Sequence, residues 1–523
     1  MSINIKHTLL VSIRLFFGVW LFLVFEHAVG QDIYRTGSSS PVETEHMSGV
    51  LLAGGATDNN DAMRWMLSRA NGGDVVVLRA SGSDGYNNYL YSSLGVDINS
   101  VTSIVIRSAA EAENEEVLRI LRNAEVVFIA GGNQWNYVNF WRGTALLELL
   151  NDLILEKKIA IGGTSAGMAV LGEVVFSAEN NTIWSSEALE NPYHWRMMLE
   201  NDFLVVPYMD QTVTDTHYNR QESDGMIRKG RHVGFMSRMV SDWNMHARGI
   251  AANEYTAIGV DEEGIARVFG HPAYDDYAYF LQVFGGPPET CEDGEPLHWI
   301  RNSEALRVYR IKGDRQGSAW FDLNDWMNGE GGNWEYWYVD KGELSFKSIE
   351  SPAPWVRISV RDEDTGEHLV GALVQIEGNG EAILPTYGSA SFSVNTPEHM
   401  TVRVTAEGYF PLEKIFSAPD ENIHIQLTLR KDDTSVISAG PEVSILKIYP
   451  NPTRDHLVIN TPACESVKLR ILNVSGIVLD YKTTGMPEGG KYMWPLKNLV
   501  PGQYLLEASG SFGRLVKSFV IIP

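Results

Sequence analysis

Cysteine is almost missing from this chain: Cys291 and Cys464 are the only two in 523 residues, far apart and outside any CxxC spacing. A disulfide framework and a cysteine-built zinc cluster are thereby excluded, and a cysteine nucleophile is disfavoured. Positive charge is also scarce, with 42 Lys+Arg against 66 Asp+Glu, a formal charge of -24 and no Lys/Arg-rich run. Binding to a phosphate backbone needs the opposite sign, so nucleic acid is not an expected partner. Beyond residue 30 no apolar run is long enough to span a bilayer. What the chain does have is core material. A hydrophobic share of 44% with 14 Trp rules out a mainly disordered polymer, and the length calls for two to four domains.

The first thirty residues read as an address. Lys6 and Arg14 precede the apolar run from Leu15 to Phe25, and Ala28-Val29-Gly30 supplies small residues where a signal peptidase cuts. A signal peptide over 1–30, removed after Gly30, is expected. From about Gly49 to Glu350, short apolar runs alternate with amphipathic stretches. Val50 to Ala53, Asp74 to Leu78, Ser103 to Ile106, Val126 to Ala130 and Ile159 to Ile161 read as buried parallel strands. Asp61 to Ala70, Glu115 to Asn123 and Thr144 to Lys157 have the length of crossover helices. The fold class is therefore α/β, a doubly wound, mostly parallel sheet over 46–350. From Pro352 to Arg430 the apolar period changes to two, predicting a small all-β sandwich. A polar linker at 431–441 leads to a second β-sandwich over 445–523.

One motif carries chemistry. Gly163-Thr164-Ser165-Ala166-Gly167 lies between an expected strand and an expected helix start. A sharp strand-to-helix turn of small residues pushes a serine hydroxyl above the sheet edge, which makes Ser165 a candidate nucleophile. The same pattern also fits a serine that merely caps a helix. A serine nucleophile needs a general base oriented by a carboxylate or amide. Among 13 histidines, His217 follows the strand-like run Phe203 to Tyr208, and Glu254 ends the short apolar segment that starts at Ile250. Neither is diagnostic alone. Gly131-Gly132-Asn133-Gln134 closes another strand, either as an ordinary turn or as a donor of backbone N–H groups that join Ala166 in an oxyanion hole.

Taken together, Leu52-Ala-Gly54-Gly55-Ala56, Gly131-Gly-Asn-Gln134, Gly163-Thr-Ser165-Ala-Gly167, Asp215-Thr-His217-Tyr218 and Asn253-Glu254-Tyr-Thr256-Ala257 resemble the cyanophycinase and peptidase E family of serine peptidases. That resemblance covers roughly residues 46–345 and implies a fold similar to class I glutamine amidotransferases. It implies that Ser165 attacks the scissile carbonyl, His217 transfers the proton and Glu254 orients His217. By the same resemblance Gln134 and Asp215 hold substrate near the nucleophile, and Gly132, Asn133, Ala166, Thr216 and Arg220 complete the candidate oxyanion and substrate-binding set. No metal or cofactor is called for. Cyanophycinases release β-aspartyl-arginine dipeptides from a poly-aspartate backbone whose side-chain carboxylates carry arginine. Family members usually have an arginine-rich stretch directly after the histidine; here only Arg220, Arg228 and Arg231 are present. The segment 221–246, with Trp243 and His246, looks longer than usual and reads as a lid loop.

The later segments resemble known modules too. Val360 to Gly366, Gly371 to Ile376 and Ala406 to Tyr409 resemble a carboxypeptidase regulatory-like domain. Tyr449-Pro450-Asn451-Pro452, Leu472 to Gly476 and Leu499 to Leu505 resemble a type IX secretion sorting domain, which implies export through the periplasm and outer membrane and contact with that machinery. The aromatics from Trp320 to Tyr338 are expected to pack the end of the first domain. The resulting expectation is a secreted serine hydrolase acting on aspartyl peptide bonds in a peptide or cyanophycin-like polymer, with a homodimer compatible with the chain. Two other readings remain: an aspartyl or isoaspartyl dipeptidase of the same family, and a non-catalytic surface binding protein on a peptidase scaffold.

Overall fold

The computed structural model describes residues 31–349 throughout, residues 354–431 apart from 378–379, 385–387, 395–398 and 420–421, and the strands between 447 and 521. The expected signal peptide at 1–30 and the linker beyond residue 431 lie outside the described residues.

Five strands form the centre of the first sheet. Ser100–Val105, Asp74–Arg79, Ala124–Ile129, Ala160–Thr164 and Gly49–Ala53 lie side by side in that order, all parallel. Their runs of Val, Ile and Leu are buried on both faces, as strands covered by helices must be. The helices Asn60–Ser68 and Glu115–Arg122 start on the side chains of Asn59 and Asn114, each accepting two backbone N–H bonds of the first turn. Glu115 and Glu116 open the second of these, and Arg119 and Arg122 close it, in the sense the helix dipole favours. Antiparallel strands extend both edges, Asp32–Gly37 on one side and Ala257–Val260, Ile265–Phe269, Trp320–Asp322 and Gly329–Glu330 on the other, making ten strands.

The mostly parallel sheet is as expected, and the segment 46–350 adds a second sheet beside it. Thr212–Asp215 and Arg248–Ala252 pair in parallel, and Tyr277–Val283, Leu306–Lys312, Gly332–Asp340 and Glu343–Ser348 add to them antiparallel, giving a second six-stranded sheet. Beyond Arg248 the strands follow one another without intervening α-helices, so antiparallel pairing is the short connection. Phe203 to Tyr208 is not a strand. Phe203, Leu204 and Val206 are buried, but Pro207 has no N–H to donate and Tyr208 turns to a φ of 66°. The strand that leads to His217 starts at Thr212. Segment 221–246 is not a lid loop either: Lys229–Trp243 is a 15-residue helix whose Val233, Phe235, Met236, Met239 and Val240 are buried. His246 is buried beyond it.

The aromatics from Trp320 to Tyr338 do pack inward, with Phe321, Trp326 and Trp337 fully buried. They meet the next segment. Residues 355–429 form a three-stranded and a four-stranded sheet around one core, and 447–521 repeats that arrangement around Leu457, Trp494 and Phe519. Trp355, the first strand residue of the middle segment, is buried among Phe284, Met327 and Tyr336. The Arg307 guanidinium lies 4.5 Å from its ring centroid and 4.4 Å from that of Trp334. Arg357 donates to Gln282 Oε1 at 2.9 Å, and Asn422 to the Met327 carbonyl at 3.1 Å. Trp355→Ala is expected to cost about 3–5 kcal/mol of unfolding free energy. Chemical denaturation measures this, with a red shift of tryptophan emission as Trp334 meets water.

Candidate active site

The site is assembled where three chain turns meet above the parallel strands. The strand Ala160–Thr164 ends at Ser165, and a short helix Ala166–Ala169 begins at once. Ser165 has φ 52° and ψ -117°, a strained conformation for a residue with a side chain. The glycines around it are needed for space: a Cβ on Gly163 would lie 2.3 Å from the Gly167 carbonyl carbon, and one on Gly167 2.0 Å from the Ile129 oxygen. The backbone N–H of Ser165 is anchored on the Ala53 carbonyl at 3.0 Å.

His217 follows the strand Thr212–Asp215 and also takes a positive φ, 48°. Its N–H donates to the Gly54 carbonyl at 2.7 Å. The ring reaches both candidate partners: Nε2 lies 2.8 Å from Ser165 Oγ, and Nδ1 lies 2.7 Å from Glu254 Oε1. A carboxylate accepting from Nδ1–H leaves Nε2 as the acceptor for the serine proton. Glu254 stands in the turn between Arg248–Ala252 and Ala257–Val260, its N–H held by Asn219 Oδ1 at 2.9 Å. Burial pushes the His217 pKa below its usual value, against the opposing pull of the Glu254 hydrogen bond, and the charges of Arg228 and Arg220 lower it further. The imidazole is thus neutral near pH 7, the state a general base needs. If His217 is that base, the midpoint of the acidic limb of kcat/KM lies below the ordinary histidine value. A pH profile whose acidic limb lies above 6.5 would count against His217.

The Gly54-Gly55 pair, to which the sequence reading assigned no role, forms the floor of this arrangement. Gly54 N–H donates to the Thr256 carbonyl, and the Gly55 carbonyl accepts from Tyr255 N–H, so the loop ties the serine, histidine and glutamate turns together. Gly55 has φ 102°, and a Cβ there would lie 2.5 Å from both Cε1 and Nε2 of His217. Gly55→Ala is expected to displace the imidazole and lower kcat by about 10²-fold or more. Steady-state kinetics of a variant with an unchanged circular dichroism spectrum checks this.

A cleft of about 500 Å³ opens beside Ser165. Gly132, Asn133, Gln134 and Ala166 line it on the nucleophile side. Asn133 caps the helix Gln134–Trp141, and Gln134 Nε2 donates to the Phe176 carbonyl at 3.4 Å. Asp215, Thr216, Arg220, Arg228 and Arg231 line the histidine side. Asp215, expected to hold substrate, lines the cleft but is engaged within the chain. Arg231 grips its two oxygens at 2.9 and 2.5 Å, and Thr216 N–H donates to Oδ1 at 2.8 Å. Burial alone would raise its pKa; the charge and hydrogen bonds of Arg231 outweigh that and hold the carboxyl below its usual range. The pair braces the strand that carries His217. Arg228 is also engaged, by Glu222 Oε1 at 2.7 Å and the Thr216 carbonyl at 3.1 Å. Arg220 is exposed and has no ion-pair partner among the described residues. The role of Glu222 and Thr182 as partners of these arginines left no sequence signal, because it depends on contacts between separate turns.

Parts of the chain are similar to known proteins. Residues 50–191 match the model of peptidase family S51, and residues 447–522 that of a secretion system C-terminal sorting domain. The first match includes Ser165 and ends before His217. The chain is 26% identical over 235 residues to the cyanophycinase of Synechococcus elongatus, covering 43% of this chain and 66% of that protein, just under two thirds of its length. It is 22% identical over 268 residues to the cyanophycinase of Geminocystis herdmanii, covering 49% and 85%. Among solved structures, a peptidase from an acI-B1 Actinobacterium aligns at 13% identity with a TM-score of 0.32, over 45% of this chain and 94% of that one. Over residues 50–191 the chain is thus similar to peptidase family S51, and the C-terminal sorting domain marks it for export to the cell surface or beyond.

Proposed function

We propose that this chain is an exported serine peptidase that cleaves aspartyl peptide bonds through an acyl-enzyme, most like a cyanophycinase that releases β-aspartyl-arginine. The observation that carries this reading is the hydrogen-bonded series from Ser165 through His217 to Glu254 on a strained strand-to-helix turn. Ser165 Oγ adds to the scissile carbonyl while its proton passes to His217 Nε2, and Glu254 stabilises the imidazolium that forms. The tetrahedral oxyanion faces the Ala166 end of the turn and the Gly132-Asn133 wall. Collapse expels the amine, which takes the proton from His217, and a water then cleaves the acyl-enzyme by the same route in reverse. The Arg220 guanidinium, open at the cleft mouth, suits a carboxylate of the substrate.

The dipeptidase reading is favoured by one observation: Arg231 and Arg228 are already matched by Asp215 and Glu222, leaving a single open guanidinium in the cleft for the many arginine carboxylates of the polymer. Product analysis separates the two. The purified chain is incubated in parallel with insoluble cyanophycin, β-Asp-Arg and α-Asp-X dipeptides. Release of β-Asp-Arg from the polymer supports the cyanophycinase reading; cleavage of dipeptides alone supports the dipeptidase. No cleavage of any, together with no labelling of Ser165 by a fluorophosphonate, rejects both and leaves a binding protein on this scaffold.

A further inference from the structure

Beside the strained serine turn lies a carboxyl group that the proposed mechanism does not use. The Gly54-Gly55 loop, which holds the His217 N–H and underlies its ring, runs on to Asp58, just ahead of the Asn59 cap of the helix Asn60–Ser68. Asp58 Oδ2 accepts from the Tyr86 hydroxyl at 2.6 Å. Its other oxygen, Oδ1, is buried without a well-formed hydrogen bond, and so is Oγ1 of Thr164, the residue before Ser165. Burial raises the Asp58 pKa, and the Tyr86 and Thr164 hydroxyls, its two hydrogen-bonding neighbours, pull against that rise. One hydrogen bond between Asp58 and Thr164 satisfies both buried oxygens at once.

No cation claims this carboxyl. Asp58 has no ion pair among the described residues, and Arg79, whose guanidinium lies 5.7 Å from the Tyr86 ring centroid, donates to the Ser81 and Ser83 carbonyls instead. The other titratable groups at this corner, Tyr89 and Arg64, bond to Asn60 and Asp61. A buried carboxyl with no cation is best held between hydroxyls. The place it occupies matters for the nucleophile. Thr164 stands opposite Ala53 in the parallel pair of strands, and the loop from Ala53 to Asp58 returns to it. The positive φ of Ser165 persists only where its surroundings over-determine it.

We propose that Asp58 is a positioning residue of the active site: by bridging the Tyr86 and Thr164 hydroxyls it ties the loop beneath His217 to the residue before Ser165 and fixes the nucleophile against its base. The bridge adds a side-chain tie to the backbone bond between Ser165 N–H and the Ala53 carbonyl. This assignment rests on the serine-peptidase reading, and Asp58 touches neither substrate nor the reacting atoms.

The test uses the full chain and its Asp58→Asn, Asp58→Ala and Thr164→Val variants, read by the rate at which a fluorophosphonate labels Ser165 and by kcat and KM on the best substrate. An asparagine oxygen accepts from Tyr86 and its amide donates to Thr164, so Asp58→Asn is expected to stay within about threefold of the parent. Asp58→Ala is expected to lower the labelling rate and kcat by about tenfold or more with KM unchanged, because serine and histidine lose their fixed separation. Adding Thr164→Val to Asp58→Ala should cost little more, since both remove the same contact. A smaller loss in Asp58→Ala, an asparagine variant as slow as the alanine one, or fully additive losses overturns the bridge. If the unaltered chain neither takes label nor cleaves, the peptidase reading fails by itself, and the bridge is judged by chemical denaturation of the same variants. Coupled losses of stability then support it, and additive losses overturn it.

Discussion

Replacing Ser165 by alanine is expected to lower kcat by about 10⁴–10⁶-fold while leaving the fold in place. The size follows from removing the atom that forms the acyl bond; only transition-state binding by the remaining groups survives. Preservation of the fold follows from the local geometry. The Ser165 N–H keeps its bond to the Ala53 carbonyl, and Ala169 N–H keeps its bond to the Ser165 carbonyl, since both are backbone contacts. Alanine fits the space serine fills, and the positive φ strains both residues equally. Single-turnover kinetics with the best substrate, a thermal melt, and fluorophosphonate labelling form the check. A variant that melts like the parent, takes no label and has lost turnover supports the nucleophile. Activity retained within tenfold would remove Ser165 from the mechanism.

The sequence made the central sheet readable because its strands are continuous apolar runs broken by polar helical stretches, a pattern that buried parallel strands share. Gly163-x-Ser165-x-Gly167 was readable for a steric reason, since the turn leaves no room for side chains at either glycine. Harder to see was the second sheet, whose parallel pair joins Thr212–Asp215 to Arg248–Ala252 across the intervening helix Lys229–Trp243. Phe203 to Tyr208 misled because burial without pairing also produces an apolar run, and only Pro207 warned against a strand. The helix Lys229–Trp243 was hidden by glycines at 230 and 234, which weaken helix propensity. They are there for close packing: a Cβ on Gly230 would lie 2.8 Å from Leu189 and Ser185 side-chain atoms. Asp215 and Gly55 illustrate a different limit. Their residue types were visible, but whether a carboxylate meets a substrate or an internal arginine is decided by a fold contact 16 residues along the chain.

Glu254→Gln separates orientation from mere proximity, and it is expected to lower kcat by about 10³–10⁴-fold with little change in KM. Glutamine has the same shape, and the turn that presents it is fixed through its backbone N–H groups, Glu254 N–H to the Asn219 side-chain Oδ1 and Tyr255 N–H to the Gly55 carbonyl. The side chain should therefore stay beside His217. What changes is the proton. A carboxylate accepts only, so Nδ1 must carry hydrogen and Nε2 must face Ser165 as an acceptor. An amide can turn its NH₂ toward Nδ1 instead, which leaves Nε2 protonated against the serine hydroxyl and unable to take its proton. The carboxylate also raises the His217 pKa against burial, so its loss drives that pKa lower still and makes the imidazole a weaker base. The acidic limb of kcat/KM should then move to lower pH as the plateau falls. Lost activity with an unmoved limb would mean that Glu254 only shapes the cleft, and activity within tenfold of the parent would show that His217 is oriented without it.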